Sequence, residues 1–387
     1  MENKMKIICF LFDLEVGGPT IRARSVYSKM ISDGYEVRIA FPKGDGSASA
    51  FIREANIDVD QLSTEKPVLP RRFFKFVKFV LLSPIALFTT VRYLRIQKPD
   101  VVHVNGAFDV IPAVAARLAG ASLVWHLNDT IFSPMMSKGL GKLVGLLSNV
   151  VVTAAERVAH HYEVTDFENR ITIHAPVDFS RFNGKGKSRS NGDSSEILLI
   201  GNWNWIKGQD RFVNVIDSVL KQGCQVHGSI AGRFSEGQKS YWEPILEDIK
   251  DKNLDDKITA LGFVSDTMVL LENADVLVLT SHSEASPICV LEAMAMGVPL
   301  VVFDVGGVKE MIGVEDETKA GVVVEEGYVA AMAKEVVKIL TDHSAYERCS
   351  KNGIQRAVER FSLEKCVELH KLAYDKAVSN HSRGEAI

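Results

Sequence analysis

The strongest constraint on this chain is the spacing of its short apolar runs, which are separated throughout by segments long enough for a helix. Five such runs, at 6–12, 35–41, 101–104, 122–126 and 150–153, make a first series. Six more, at 197–200, 225–231, 258–262, 276–280, 299–303 and 321–324, make a second. They lack the polar alternation of a half-solvated strand, so both faces must be covered. The pattern predicts parallel strands layered between helices, built twice. Between the series, 183–195 contains no apolar residue and reads as a loose loop after a hinge near 174–182. We expect an α/β chain of two doubly wound Rossmann-like domains, 1–176 and 177–362, facing across a cleft. Ligands of such sheets bind outside the carboxyl ends of the strands, so function is sought in the loops that follow them.

Composition removes several alternatives. A chain of 387 residues buries roughly three quarters of its extended surface and needs no staples. Forty-five basic against forty-nine acidic residues leave a net charge of −4, without the basic footprint of a nucleic-acid binder. Cys9, Cys224, Cys289, Cys349 and Cys366 are odd in number and widely spaced, which points to reduced thiols and not to disulfides or zinc. The apolar run after Lys6 ends at Asp13, too short for a signal peptide. The apolar stretch 79–91 is interrupted by Ser83 and Pro84, and no stretch is expected to span a bilayer. The expectation is a soluble cytoplasmic protein, in contact with membrane only peripherally.

Three loops could carry chemistry. Gly17 and Gly18 lie between the first strand and a helix beginning near Thr20, where backbone can approach a ligand and free N–H groups suit an anion. After the first strand of the second series come Gly201 and Asn202, then Lys207-Gly208 at a helix start. An ammonium, N–H groups and a helix dipole could converge there on a phosphate. The third loop follows the strand ending near Thr280. It carries Glu284, Ala285, Ser286, Pro287 and Ile288, with Glu292 in the following helix and Cys289 as packing. Ionised carboxylates so placed can accept hydrogen bonds from vicinal hydroxyls, as on a sugar or ribose. The next loop adds Gly306-Gly307 at the same rim. No metal cluster is expected, and Asp58-Val59-Asp60 reads as a solvated strand edge.

Taken in order, these segments resemble the retaining GT-B glycosyltransferases of family 4, including the Glu284-x7-Glu292 spacing, Gly306-x3-Glu310 and an interdomain segment at 175–182. The resemblance implies a nucleoside-diphosphate sugar as co-substrate, no metal or other cofactor, and transfer to a glycan or lipid-linked glycan in cell-surface polysaccharide or glycolipid synthesis. It implies that Glu292 holds the donor ribose, that Glu284 and the backbone of 285–288 contact the donor sugar, and that Lys207 neutralises the diphosphate. Gly17 and Gly18 would offer backbone to donor and acceptor. His126, after a first-half strand, resembles the family's histidine near the sugar. A final helix, 363–387, would return to the first domain.

One position departs from the pattern. The family usually has an arginine after the glycine matching Gly201, and here it is Asn202; Arg233 could supply part of the missing charge. Two other readings are a nucleotide-sugar epimerase of the same fold and a non-catalytic nucleotide-sugar-binding protein. Arg71, Arg72, Lys75 and Lys78 alternate with phenylalanines up to Phe79, which suggests an anionic-membrane contact at 71–79, with the later part of that helix as core.

Overall fold

In the computed structural model the described residues are 4–63, 73–186, 194–313 and 319–384. The chain divides into two compact units, Met1–Pro176 with Leu363–Ile387, and Val177–Ser362.

Unit 1 opens with β1 (Lys6–Phe10), α1 (Gly18–Ser32), β2 (Glu36–Pro42), α2 (Ser47–Arg53) and β3 (Asp58–Leu62). It continues with α3 (Phe73–Gln97), β4 (Val101–Asn105), α4 (Val110–Ala119) and β5 (Ser122–Leu127). Then come α5 (Pro134–Leu147), β6 (Val150–Thr153), α6 (Glu156–His161) and β7 (Arg170–Thr172). The seven strands run in the order β3-β2-β1-β4-β5-β6-β7, and every pair is parallel. Central β4 and β5 are buried at every position, as two-sided cover requires.

The edge strands β3 and β7 lack apolar runs, and β7 escapes the sequence pattern altogether. Asp58 and Asp60 of β3 grip Arg38 of β2 at 3.0 and 2.8 Å, and Tyr93 donates to Asp60 at 2.6 Å. That acidic pair therefore fastens a sheet edge, with Asp58 pointing mostly to solvent.

Helix α3 corrects the sequence reading of its later part. Ala86, Thr90 and Leu94 are buried, but Leu81, Ile85 and Phe88 on the other face are 71, 60 and 69% exposed. The segment Phe79–Gln97 is also long and apolar enough to cross a membrane by length and composition, which the sequence reading did not expect. Arg71 and Arg72, and the side chains of 73–76 and 78, lie outside the described residues.

Unit 2 holds β8 (Ser195–Ile200), α7 (Gln209–Lys221), β9 (Val226–Ala231), α8 (Lys239–Asp251) and β10 (Ile258–Gly262). After these come α9 (Thr267–Asn273), β11 (Val276–Leu279), α10 (Ile288–Ala295), β12 (Leu300–Phe303) and α11 (Val308–Ile312). The unit closes with β13 (Gly321–Val324), α12 (Val329–Thr341) and α13 (His343–Phe361). Its six strands follow the order β10-β9-β8-β11-β12-β13, again all parallel. The first and last residues of the unit, Val177 and Ser362, bridge each other. Of the segment expected to be loose, Gly184 N–H donates to Ala295 O at 3.0 Å, and 187–193 lies outside the described residues.

The last helix, α14 (Leu363–Gly384), belongs to unit 1 and sends Val367, Ala373, Tyr374 and Ala377 into its core beside Ile7, Val26 and Val124. In each sheet the strand order reverses beside the first strand, at β1/β4 and at β8/β11. A crevice opens there at the carboxyl ends of a doubly wound sheet.

Candidate active site

At the β8/β11 reversal of unit 2, two loops are tied together. Leaving β8, the chain passes Gly201 and Asn202 and makes one 3-10 turn, capped where Ile206 N–H donates to Asn204 Oδ1 at 3.1 Å. That turn ends at Lys207. Gly208 follows with φ +66°, and a Cβ there would stand 2.3 Å from Thr280 O at the end of β11. Thr280 Oγ1 in turn donates to Gly208 O at 2.7 Å. Glycine is required at 208 because the two strand-end loops touch backbone to backbone.

This contact brings Lys207 and Glu284 together. Lys207 Nζ lies 2.6 Å from Glu284 Oε1, and Ser281 Oγ donates to the same oxygen at 2.7 Å. The lysine side chain is 26% exposed and the glutamate only 8%. Burial works against the lysine's charge, and Glu284 outweighs it, so the Lys207 pKa sits above the ordinary lysine value. The loop that carries Glu284 is braced from below. At Gly306, φ +53°, a Cβ would fall 1.5 Å from Glu284 O, and Gly307 N–H donates to Ala285 O at 3.0 Å. Ser286 continues the loop, Pro287 stands at the N-cap of α10, and Ile288 begins that helix with its free N–H groups.

Glu292, just over one turn into α10, accepts from Thr267 Oγ1 at 3.0 Å. Burial raises its pKa to about 7, with Thr267 and Arg181 acting in the other direction. Arg181 itself pairs with Asp266 at 3.2 Å, and Asp266 caps α9. Cys289, its thiol pushed up to about 12 by burial, feels the charges of Lys207, Glu284 and Glu292 together. One neighbourhood therefore holds Lys207, Glu284 and Glu292, three of the four ionisable side chains that the sequence singled out in this half; Arg233 is the fourth.

Asn202 is exposed, and its Oδ1 accepts from Arg233 N–H at 3.1 Å. The Arg233 guanidinium lies over the Phe263 ring, 4.8 Å from its centroid. Asn202, where the family pattern has an arginine, and Arg233, the candidate for the missing charge, are thus adjacent through Arg233's backbone. Among the described residues, no group of three or more His, Cys, Asp or Glu side chains is arranged to hold a metal.

Unit 1 is built differently at its own reversal. Gly17 caps α1 in an extended conformation, and Pro19 opens the helix. A Cβ on Gly17 would meet only Pro19 at 4.0 Å, and one on Gly18 nothing, so neither glycine is demanded by packing. His126, near the end of β5, is fully buried, and Arg22 Nη1 donates to its Nε2 at 2.8 Å. In this structure His126 has no accessible face, and its ring nitrogen is occupied by Arg22.

Sequence reasoning missed Arg22, which is 7% exposed, donates to Asn105 Oδ1 as well, and has no carboxylate partner among the described residues. The signal was present. Arg22 falls on the face of α1 that also carries Ala23, Val26 and Met30, where a charge is out of place. Asp109, at the start of α4 and 8% exposed, was missed too; burial lifts its carboxyl to about 7.

Two all-parallel sheets of six and seven strands, each reversing its order beside its first strand, match the doubly wound domains of the GT-B fold. The description of the glycosyl transferases group 1 family matches residues 180–356, and that of the glycosyl transferase 4-like domain matches 17–165. The chain belongs to this family and is a glycosyltransferase.

Among its relatives is the N-acetyl-alpha-D-glucosaminyl L-malate synthase of Bacillus anthracis, 28% identical over 50% of this chain and 49% of that one. The chain thus matches about half the length of that enzyme. A UDP-Gal:alpha-D-GlcNAc-diphosphoundecaprenol alpha-1,3-galactosyltransferase of Escherichia coli is 28% identical over 76% of this chain and 80% of its own. In fold, the chain is similar to Anabaena Alr3699/HepE, solved in complex with UDP-glucose, at a TM-score of 0.79 and 18% identity, covering 95% of this chain and 99% of that one.

Proposed function

We propose that this glycosyltransferase moves a sugar from a nucleoside-diphosphate sugar to a hydroxyl of a glycan or lipid-linked glycan, with retention of configuration and without a metal, in cell-surface polysaccharide or glycolipid synthesis. The observation that carries the reading is the Lys207–Glu284 pair beside Glu292 at the β8/β11 rim. The UDP-glucose held by the Anabaena protein and the UDP-Gal in the name of the galactosyltransferase support it.

The pair exchanges partners when the donor binds. Lys207 passes from Glu284 to the diphosphate, and Glu284 turns its freed acceptor oxygen to the sugar hydroxyls. Each group remains satisfied before and after, which a group as buried as Glu284 requires. Glu292 accepts from the ribose hydroxyls, and ionisation favours that role because a carboxylate offers only acceptors. As the sugar–phosphate bond breaks, negative charge grows on the leaving diphosphate, where the Lys207 ammonium and the N–H groups opening α10 stabilise it. The accepting hydroxyl then attacks the sugar on the face the diphosphate leaves and passes its proton to the departing phosphate oxygen beside it, and recognition of the acceptor falls to unit 1.

A thermal-shift screen of UDP, GDP and their sugars against the intact chain tests the donor, because a bound ligand raises the melting temperature by mass action. Absence of a shift with every nucleotide would remove the reading. Conversion of the donor sugar in the absence of any acceptor would point to an epimerase.

A further inference from the structure

The outer face of α3 is inverted relative to an ordinary surface helix. Val77, Leu81, Ile85 and Phe88 follow one another at helical spacing on one side, and they are 37, 71, 60 and 69% exposed. Val80, at 50%, widens the stripe. Continuing along the same side, the next residues are Arg92 and Arg95, both exposed, with Ile96 at 67%. The opposite side is spent on the fold, through buried Ala86, Thr90 and Leu94. A contiguous apolar stripe about three turns long is more than scattered surface residues account for.

The charge on this helix has one sign. From Phe73 to Gln97 the sequence contains Lys75, Lys78, Arg92 and Arg95 and no aspartate or glutamate, in a chain whose acids outnumber its bases. In the sequence, basic residues therefore precede and follow the apolar stripe. The apolar surface also continues inward. A hollow of about 380 Å³ beside the helix shares Ile85 with the stripe, is walled by Phe79, Leu82 and Ala86, and ends at Lys43, next to the carboxyl end of β2.

We propose that unit 1 seats on an anionic lipid surface through this face of α3, with Leu81, Ile85 and Phe88 below the headgroups and Arg92 and Arg95 among the phosphates. Apolar side chains flanked by cations lie in the plane of such an interface, and each nearby basic residue strengthens the attraction. The helix remains part of unit 1, held by its buried side and by Arg95, which donates to Leu118 O of α4 at 3.0 Å. This seat begins where the 71–79 contact suggested by the sequence ends and moves the contact onto 81–95, and it goes beyond the proposed transfer reaction: it holds whatever the donor is.

The test is co-sedimentation of the purified full chain with phosphatidylcholine vesicles, with and without about a quarter phosphatidylglycerol. The wild type is expected to sediment with the anionic vesicles and to be released by high salt. The double variant Leu81→Ser, Phe88→Ser should lower the bound fraction about tenfold or more, and Arg92→Glu should erase the preference for phosphatidylglycerol. Because these side chains project outward, the melting temperature and the nucleotide response of unit 2 should stay unchanged, which separates a failed seat from a failed donor reading. Tryptophan at Phe88→Trp should be quenched by brominated lipid.

The proposal is overturned if the wild type ignores anionic vesicles, or if the serine variant binds them as well as the wild type does. Light scattering that shows a dimer broken by the serine variant, without vesicle binding, would assign the face to a second copy. Bound protein that resists alkaline carbonate would mean that the helix spans the bilayer, and it would also defeat the proposal.

Discussion

The two sheets share their topology and differ in what stands at the point of reversal. In unit 2 a cation meets a carboxylate, with the lysine a quarter exposed and a second carboxylate close by. In unit 1 a cation is buried among neutral partners. Arg22 rests on His126 and Asn105, and around it lie His103 and His370 with their rings 5.8 Å apart, and Tyr374, whose hydroxyl is 2.8 Å from His103 Nδ1. Burial draws Arg22 below the ordinary arginine pKa and holds all three imidazoles neutral, His370 down to about 4. One frame thus supports an open charged site whose ion pair can part for a ligand and a closed polar core that depends on staying unprotonated. Topology placed both; side-chain chemistry made one open and charged and the other closed and buried.

The largest expected effect tests the open site. Lys207→Ala should lower the transfer rate by about 10²–10³, the scale of removing one preorganised charge from a developing anion. His126→Gln should act less, and through Arg22: an amide oxygen can still accept from the guanidinium, whereas His126→Leu cannot. Steady-state kinetics with each variant would show the order. Equal losses for Lys207→Ala and His126→Gln would erase the distinction drawn between the two rims.

Acid is the next probe, and it should act on unit 1. The imidazoles have folded pKa values below their ordinary 6.5, so the unfolded chain takes up protons first as pH falls. Stability is full above pH 6.5 and drains away toward pH 4. For His370 alone the shift corresponds to up to about 3 kcal/mol. Melting curves of wild type and His370→Gln should converge as pH drops from 7 to 4.5, with the variant the flatter. Parallel curves would mean that the buried cluster is already charged.

The ion pair sets a third contrast. Lys207→Met leaves Glu284 buried beside Ser281 only and should cost about 3 kcal/mol, and adding Glu284→Gln should recover about 1–3 kcal/mol of it as coupling. Arg22→Met deletes a buried cation that no carboxylate among the described residues holds. Its cost should come from the two acceptors it leaves, Asn105 Oδ1 and His126 Nε2, at about 1–3 kcal/mol, with no recovery from a second substitution that removes a charge. Denaturation monitored unit by unit would decide.

Glu292 gives a subtler, pH-dependent signal. Its folded pKa of about 7 lies above the ordinary 4.5, so the ionised form is the one burial penalises. Below pH 4.5 wild type and Glu292→Gln should melt alike. Above pH 7 the variant should be the more stable, yet bind nucleotide more weakly. Wild-type affinity for UDP should fall as pH drops below 7, since protonation removes an acceptor that the ribose needs.

Much of this was legible in the sequence, for identifiable reasons. The central strands announce themselves as unbroken apolar runs because helices cover both faces, and the loops after β8 and β11 follow from where those runs end. The edge strands β3 and β7 do not, since a strand with one open side can be Asp-rich or three residues long. Lys207 and Glu284 lie in loops after strands and Glu292 in the helix that follows, and it was their order and spacing, matched to the family pattern, that singled them out. Their mutual pairing was not legible, because the contact of Gly208 with Thr280 spans more than seventy positions. The burial of His126 was not legible either: a strand-end histidine reads as accessible, and neighbours distant in sequence, Arg22 of α1 and His370 of α14, pack against it. The exposed stripe of α3 was misread as core because a hydrophobic side chain carries no mark of which face it occupies.

The smallest effect concerns Asn202, where unit 2 is less cationic than its family pattern. If the open rim is short of one positive charge, Asn202→Arg should tighten nucleotide binding. The gain has an opponent, since Asn202 Oδ1 is what accepts the Arg233 N–H, and that donor would lose its side-chain partner. A partly exposed cation near a diphosphate is worth about 1 kcal/mol before screening, and the lost hydrogen bond takes back a similar amount. We therefore expect a change in UDP affinity of only a few-fold, larger at low salt than at high salt. Calorimetric titration at two ionic strengths separates the terms, because the charge contribution fades with salt and the hydrogen-bond contribution does not. A gain of a hundredfold would show that the wild-type rim is starved of charge, and that Lys207 alone does not neutralise the leaving diphosphate.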